Sequence, residues 1–330
     1  MQTTMELEKI YQPISEDLAS MEEVLHKRLT SSKYESVKAI SSYPLQSGGK
    51  RLRPALVLLS ARVIGDSSRQ KQKAINIAAA MELIHMASLI HDDVIDHSKL
   101  RHAKPTVNSK RGEDVAIALG DYLHATASEL IATCSNPEVL ECISLAVKTM
   151  CEGELLQVCE RDNLNLKLER YMVIIKKKTA TLFATACQSG GLIFGAKENL
   201  QKTLKDYGFN FGLAFQMVDD CLDFVGKKKS LGKSPGTDFK LGELTIPILS
   251  LISEDKEAQK VQSLMESPDK DNSFDELRDI FINSEAFTKT KKEIFFYLNK
   301  AKESISDLSD SCFKESLTDL TDYVAKRIEI

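Results

Sequence analysis

Two aspartate clusters of the same form stand far apart in this 330-residue chain: Asp-Asp-Val-Ile-Asp at 92–96 and Asp-Asp-Cys-Leu-Asp at 219–223. Each follows an apolar run, MELIHMASLIH before the first and GLAFQMV before the second. On a helix, positions i, i+1 and i+4 lie on neighbouring stripes of one face. Asp92, Asp93 and Asp96 would therefore converge in one place, and Asp219, Asp220 and Asp223 in another. Carboxylates gathered at the end of apolar helices repel one another and are costly to desolvate, so something positive must sit between them. Magnesium fits, because it takes oxygen ligands, keeps waters, and is shared between a few carboxylates and substrate phosphates. One such cluster is commonly a solvated acidic face. Two, both behind apolar helical runs, suggest two carboxylate walls facing a shared diphosphate–magnesium cluster.

The basic residues give the sign of the ligand. Residues 48–54 read GGKRLRP and bring Lys50, Arg51 and Arg53 together before a helix that Pro54 can start. Arg101 follows the first cluster by five residues, Lys178 sits in KKKTAT, and Lys233 in LGKSPGTD soon after the second cluster. With 44 Lys and Arg against 48 Asp and Glu, net charge −4, the chain has no global reason to concentrate cations beside its acidic clusters. Most of those cations are ordinary surface; these few suit a small anionic, phosphorylated molecule. The same balance, with no Trp, gives no support to nucleic-acid binding.

With these motifs the chain resembles the trans-type isoprenyl diphosphate synthases, the all-α polyprenyl synthetases. The resemblance runs from about residue 40 to 250 through GGKRLRP, ELIHMASLIHDDVID, KPTVN, ALGDYL, GELLQ, KKKTATLF, FGLAFQMVDDCLDF, LGKSPGTD and TIPIL, and is much weaker over the last eighty or so residues. It implies head-to-tail condensation of an allylic diphosphate with isopentenyl diphosphate. Magnesium, three ions with substrate bound, would be held by Asp92, Asp96 and Asp219, with Asp93, Asp220 and Asp223 supporting. Arg101, Lys178 and Lys233 match positions that bind the allylic diphosphate. Lys50, Arg53 and His85 match positions that hold isopentenyl diphosphate. Thr179 and Gln216 match polar groups near the allylic cation, and Gln157 matches a position in the same cavity. The family usually forms homodimers, and Leu119–Ile131 is the expected part of that face.

The chemistry fits the residues independently. Ionising an allylic C–O bond expels diphosphate, whose growing charge metals and preorganised Lys and Arg can neutralise. The carbocation then needs a dry cavity. Two departures from the family stand out. His102 follows Arg101 where a second arginine, binding isopentenyl diphosphate, is usual; and Glu243 follows Gly242 where a lysine is usual, with Lys240 nearby as a substitute.

Ser88 and Ala87, four and five positions before Asp92, lie below it on the same helix, toward the floor of any tunnel that it caps. Short-chain members carry a large aromatic residue at this level; here Ala87 and Ser88 leave it open, and Ile84 or Met81 would form a lower floor. A medium- or long-chain all-trans polyprenyl diphosphate is therefore the expected product. Another helix could still supply the block, with Tyr122 and His124 as candidates. The alternatives are a short-chain farnesyl or geranylgeranyl synthase, or a class I terpene cyclase. A cyclase usually lacks a second such aspartate motif and needs no segment like GGKRLRP.

These residues require long helices to hold them. Only 15 Gly and 8 Pro occur, and apolar spacing of i, i+3, i+4 recurs, as in Ile77, Ala80, Met81, Ile84, Ala87 and Ser88. This predicts a single all-α domain over residues 1–330, a large helical bundle around a deep central cavity. Helices are expected near 5–30, 36–46, 54–64, 72–98, 114–133, 137–162, 166–189, 198–225, 274–284, 285–308 and 311–328. Residues 226–242 would be a loop beside the second cluster, and 253–275 a charged surface connection. Seven scattered cysteines without a CxxC, and no signal peptide, point to the cytoplasm. His91 reads as an oriented helix residue rather than a ligand. No apolar run is expected to reach the roughly eighteen residues that span a bilayer, so no stable membrane insertion is expected.

Overall fold

The computed structural model describes residues 2–101, 103–226, 235–253 and 258–328. The chain folds as α1 (Gln2–Ile10), α2 (Ser15–Leu29), α3 (Glu35–Ser41), α4 (Leu52–Ile64), α5 (Ser68–Ile95), α6 (Val107–Arg111), α7 (Glu113–Thr133), α8 (Pro137–Cys159), α9 (Leu168–Ile175), α10 (Thr181–Ile193) and α11 (Glu198–Val225). Further helices span Thr237–Lys240, Ile246–Ile252, Ala258–Glu266, Lys270–Asn283, Glu285–Ser304 and Cys312–Lys326. Among the described residues the only sheet is a two-residue antiparallel pair, Leu100–Arg101 against Lys104–Pro105. The all-α expectation is borne out.

α5 and α11, each of 28 residues, carry the aspartate clusters at their C-terminal ends. α10 packs on both, and on α4 and α8. No Gly or Pro interrupts 66–104, which allows α5 its length, and its alanines let α4, α7 and α10 close around it. By length and composition α5 could cross a bilayer, contrary to the sequence expectation, but most of its apolar window is buried inside the bundle. Its hydropathy is that of a core helix. One continuous cluster of buried side chains runs from Leu7 to Ile328.

Local chemistry explains several boundaries. Asn136 caps α8 by accepting from the amides of Glu138 and Val139, with Pro137 in the first turn. At the end of α5 the KPTVN segment acts as a staple: Asn108 donates to the carbonyls of Asp93 and Ser98, and Thr106 donates to Ser98. The expected helix 5–30 is broken instead at Gln12–Ile14, a 3₁₀ turn containing Pro13.

The expected helix 166–189 also differs. A single π turn, Lys176–Ala180, separates α9 from α10, and both the amide and the hydroxyl of Thr181 donate to the Lys176 carbonyl. π turns are frequent at functional sites. Gly153 of α8 makes room for this one, because a Cβ there would lie 2.4 Å from the Lys178 amide nitrogen. Replacing a mid-helix glycine by alanine ordinarily stabilises by about 1 kcal/mol. Here the new methyl meets backbone, and Gly153→Ala should push Lys178 and Thr179 out of place and cut kcat about 10²-fold. Saturation kinetics beside a melting curve checks this; unchanged kcat would mean that the π turn yields without consequence.

Candidate active site

Both clusters open on one cavity with two lobes. The polar lobe, about 680 Å³, is lined by Asp92, Asp96, Asp219, Asp220 and Asp223 with Lys50, Arg101, Lys178 and Arg327. The other lobe, about 580 Å³, shares Asp92, Asp219, Lys178 and Thr179 and continues past Arg53, His85, Ser88, His124, Met150 and Leu182. A charged chamber thus passes into a largely apolar one.

The aspartates divide into two kinds. Asp92, Asp96 and Asp219 stand at the chamber wall, where the chain's own cations meet them. Lys178 Nζ is 4.0 Å from Asp92 and 2.5 Å from Glu154. Arg161 reaches Asp96, and Arg327 reaches Asp219 at 2.6 Å. The others are anchored. Arg101 grips Asp93 with Nε at 3.0 Å and Nη2 at 2.9 Å from Oδ1. Asp220 accepts from Tyr171 at 2.6 Å and from Gln216 at 2.7 Å, and Thr179 donates to Gln216 at 2.7 Å. Asp223 accepts from the Asp238 amide at 3.3 Å.

Electrostatics follows from burial at helix C-termini, whose dipoles already oppose negative charge. Burial raises the Asp92 pKa well above the usual carboxylate range, with Glu154 and Asp96 adding to it and Lys178 opposing. Burial pushes Asp220 up to about 7 against the hydrogen bonds from Tyr171 and Gln216. Lys178 is the reverse: burial works against its charge, but Asp92 and Glu154 more than offset that and hold its pKa above the normal value. Burial, then the guanidiniums of Arg53, Arg101 and Arg51, lowers His85 well below its usual pKa, leaving a neutral imidazole. Burial brings Arg53 down to about 10, so it stays cationic. At Lys50, desolvation and then Arg327 lower the pKa to about 8, although the residue as a whole stands exposed.

The loop that carries Lys50 and leads into α4, where Arg53 stands, is held in an unusual shape. Arg51 has φ +51° and is clamped by Glu22 at 2.5 Å and Glu82 at 2.7 Å. Arg53 lies over the Phe183 ring at 4.2 Å. Among the described residues, Arg53 Nε and Arg327 Nη1 are buried without an acceptor, and Glu154 Oε1 without a donor. Two orphaned guanidinium donors, Arg327 in the polar lobe and Arg53 in the other, suit oxyanions bound in the cavity. The carboxylates, all oxygen donors, suit a hard cation such as magnesium. Among the described residues no three acidic, His or Cys side chains form a preformed metal cage. An ion here would be shared between a wall and the oxygens of a ligand.

Comparison with known proteins decides the family. Residues 34–281 match the family model described as polyprenyl synthetase. Heptaprenyl diphosphate synthase component 2 of Geobacillus stearothermophilus is 35% identical over 326 residues, 98% of this chain and 99% of that one. Octaprenyl diphosphate synthase of Escherichia coli is 31% identical over 325 residues, again 98% and 99%. A solved polyprenyl synthase from Caulobacter crescentus, complexed with calcium and isoprenyl diphosphate, aligns with a TM-score of 0.89 at 33% identity over 98% of each chain. The chain belongs to the polyprenyl synthetase family. Its reading as a trans-type isoprenyl diphosphate synthase, a prenyltransferase, is borne out.

In this polyprenyl synthetase most of the residues singled out from sequence come together. Lys50, Arg53, His85, Asp92, Arg101, Lys178, Thr179, Gln216 and Asp219 line the cavity, and so does Gln157. Lys233 and His102 lie outside the described residues. The tunnel candidates are corrected. Ser88 faces the apolar lobe, but Ala87 and Ile84 do not line it and are packed in the core, as is Met81. His124 lines the lobe and Tyr122 does not. Lys240 does not substitute at Glu243, being paired with Asp271. Sequence reasoning missed Glu154, Arg161, Tyr171 and Arg327, whose partners lie up to 108 positions away. No local spacing announces such pairings.

The raised carboxylates make a pH prediction. Between about pH 4 and pH 7 the folded state holds protons at Asp220 and Asp92 that the unfolded chain has released, so metal-free stability falls as pH rises through that window. Added magnesium should accordingly raise the melting temperature more at pH 8 than at pH 5. A metal-induced gain that is flat with pH would contradict it.

Proposed function

We propose that the chain condenses an allylic diphosphate with isopentenyl diphosphate and releases a medium- or long-chain all-trans polyprenyl diphosphate. The observation that carries this reading is the junction itself: a chamber with opposed carboxylates and cations opening into an apolar lobe past Ser88. Asp92, Asp96 and Asp219 would hold magnesium, three ions with substrate bound, which when present neutralises the departing diphosphate as a Lewis acid. Arg101 and Lys178, with Lys233, bind the allylic diphosphate, and Lys178 keeps its proton beside Asp92 and Glu154. Lys50, Arg53 and the neutral His85 receive isopentenyl diphosphate, a role that the resemblance also gives to position 102, here His102, and Arg53 Nε is a donor awaiting an oxygen. Thr179 gives its proton to Gln216, so its lone pairs face the region where allylic charge develops. Leu182 and Phe215 keep water from that region. The isopentenyl double bond attacks the allylic carbon as its C–O bond breaks, and the product cation then loses a proton to the diphosphate released.

The chain is inferred to act as one catalytic domain in the cytoplasm and as a homodimer. Leu119, Leu123, Ala127, Leu130 and Ile131 face inward, so the expected α7 surface is not apolar there. Among the described residues, the exposed apolar side chains include four on α8, Leu140, Leu145, Leu155 and Val158, and Ile117 on α7, and this surface is the one inferred to meet a second copy. The relative named as component 2 favours one other reading, a partner subunit on this same face. The deciding experiment is incubation of the pure chain with magnesium, isopentenyl diphosphate and starters of about ten, fifteen or twenty carbons, with products read by mass spectrometry. Elongation to one length above twenty carbons is expected. Hydrocarbon and diphosphate formed without isopentenyl diphosphate would overturn the reading in favour of a cyclase.

A further inference from the structure

Arg161, just past the end of α8, is, like Arg327, a cation beside this chamber that no sequence motif announced. Its Nη2 meets Asp96 of the first cluster and lies 2.8 Å from Glu243 Oε1, its Nε is 2.9 Å from the same oxygen, and its Nη1 donates at 3.3 Å to the carbonyl of Ile95. The other Glu243 oxygen accepts from Gln157. The guanidinium therefore ties the last turn of α5 to the segment that follows the second cluster. Glu243 is 7% exposed in its side chain and Arg161 is 20% exposed, so both charges are largely withdrawn from water. A buried carboxylate without a cation would be strongly disfavoured. Desolvation already raises the Glu243 pKa, and Lys178 and Arg161 counter it.

We propose that Arg161 is the positioning residue of Asp96, and that Glu243, fixed by Gln157, is present to hold Arg161 in place. The contact runs to Asp96 Oδ1, which leaves Oδ2 free to be aimed at a cation in the chamber. Ligating carboxylates are commonly oriented in this way by an outer hydrogen-bonding partner. The pair also accounts for the glutamate at 243. A lysine there would confront Arg161 and Lys178, whereas a carboxylate binds the guanidinium with two of its nitrogens on one oxygen and leaves the second oxygen for Gln157. This rests on the functional reading above, in which Asp96 serves the metal–diphosphate cluster.

The test is a binding measurement followed by kinetics. Arg161→Gln alone leaves Glu243 buried without its cation and endangers the fold, so the informative protein is the charge-balanced double variant Arg161→Gln/Glu243→Gln. Titration of the full chain with magnesium and inorganic pyrophosphate, read by calorimetry, should show binding about 10- to 100-fold weaker in the double variant than in the wild type. KM for the allylic diphosphate should rise while KM for isopentenyl diphosphate stays unchanged, a split that a general loosening of the fold would not produce. Arg161→Lys, which keeps the charge, should recover part of the loss. A folded double variant that binds magnesium pyrophosphate as tightly as the wild type would reduce the pair to a structural ion pair. A wild type that shows no magnesium-dependent binding of pyrophosphate would instead sink the functional reading, and the proposal with it.

Discussion

Asp92→Asn is expected to lower kcat by on the order of 10³, about 4 kcal/mol of barrier, and yet to raise the melting temperature of the metal-free protein at pH 8. Both effects have one origin. Asp92 sits at the C-terminal end of α5, where burial, Glu154 and Asp96 all oppose its negative charge. The native carboxylate is thus unfavourable until a cation arrives. Asparagine keeps the shape and removes the charge, and Lys178 retains Glu154 at 2.5 Å. Stability gained at the expense of activity is the usual signature of a strained site. Turnover within tenfold of the wild type would remove Asp92 from the metal wall. Asp219→Asn should lose activity similarly without the gain in stability, because it strips Arg327 of its partner.

Ser88→Phe should shorten the product, and Ala87→Phe should not. Ser88 lines the apolar lobe and makes only a 2.9 Å bond to the His85 carbonyl, so a phenyl ring there fills the space beyond the allylic carbon. Ala87 is 0% exposed. A ring at that position enters a packed core and costs about 1–3 kcal/mol of stability without touching the tail. Mass spectra of the two sets of products, with melting curves beside them, distinguish the positions. An unchanged product from Ser88→Phe would mean that the tail leaves by another route.

That pair of positions marks the boundary of what a sequence can say. The aspartates were legible because i, i+1, i+4 spacing and an apolar run are local facts, and the helices were legible because few residues break them. Whether Ala87 or Ser88 meets the cavity depends on how α5 is rotated against α7, which no local pattern fixes. The same holds for Arg161 and Arg327, whose partners are set by packing. The segment 253–275 was expected to be a surface connection because it is charged, but it contains the helix Ala258–Glu266 and the start of Lys270–Asn283. The first buries only the thin stripe of Val261 and Met265. Nor does any propensity scale announce a π turn, whose cost is repaid by Gly153 and the neighbouring helices.

That turn also acts as a register shift. A π turn holds one residue more than an α turn in the same hydrogen-bonded ring, so the stretch Lys176–Ala180 carries a surplus amino acid that the helix could shed. Removing a single residue there would let α9 and α10 fuse into one regular rod, with every hydrogen bond in the shorter ring. The healed helix would be stiffer and its amides would exchange with solvent more slowly. Lys178 and Thr179 would then be turned away from the chamber. Selection for heat resistance alone would therefore be drawn toward this deletion, and selection for prenyl transfer would oppose it.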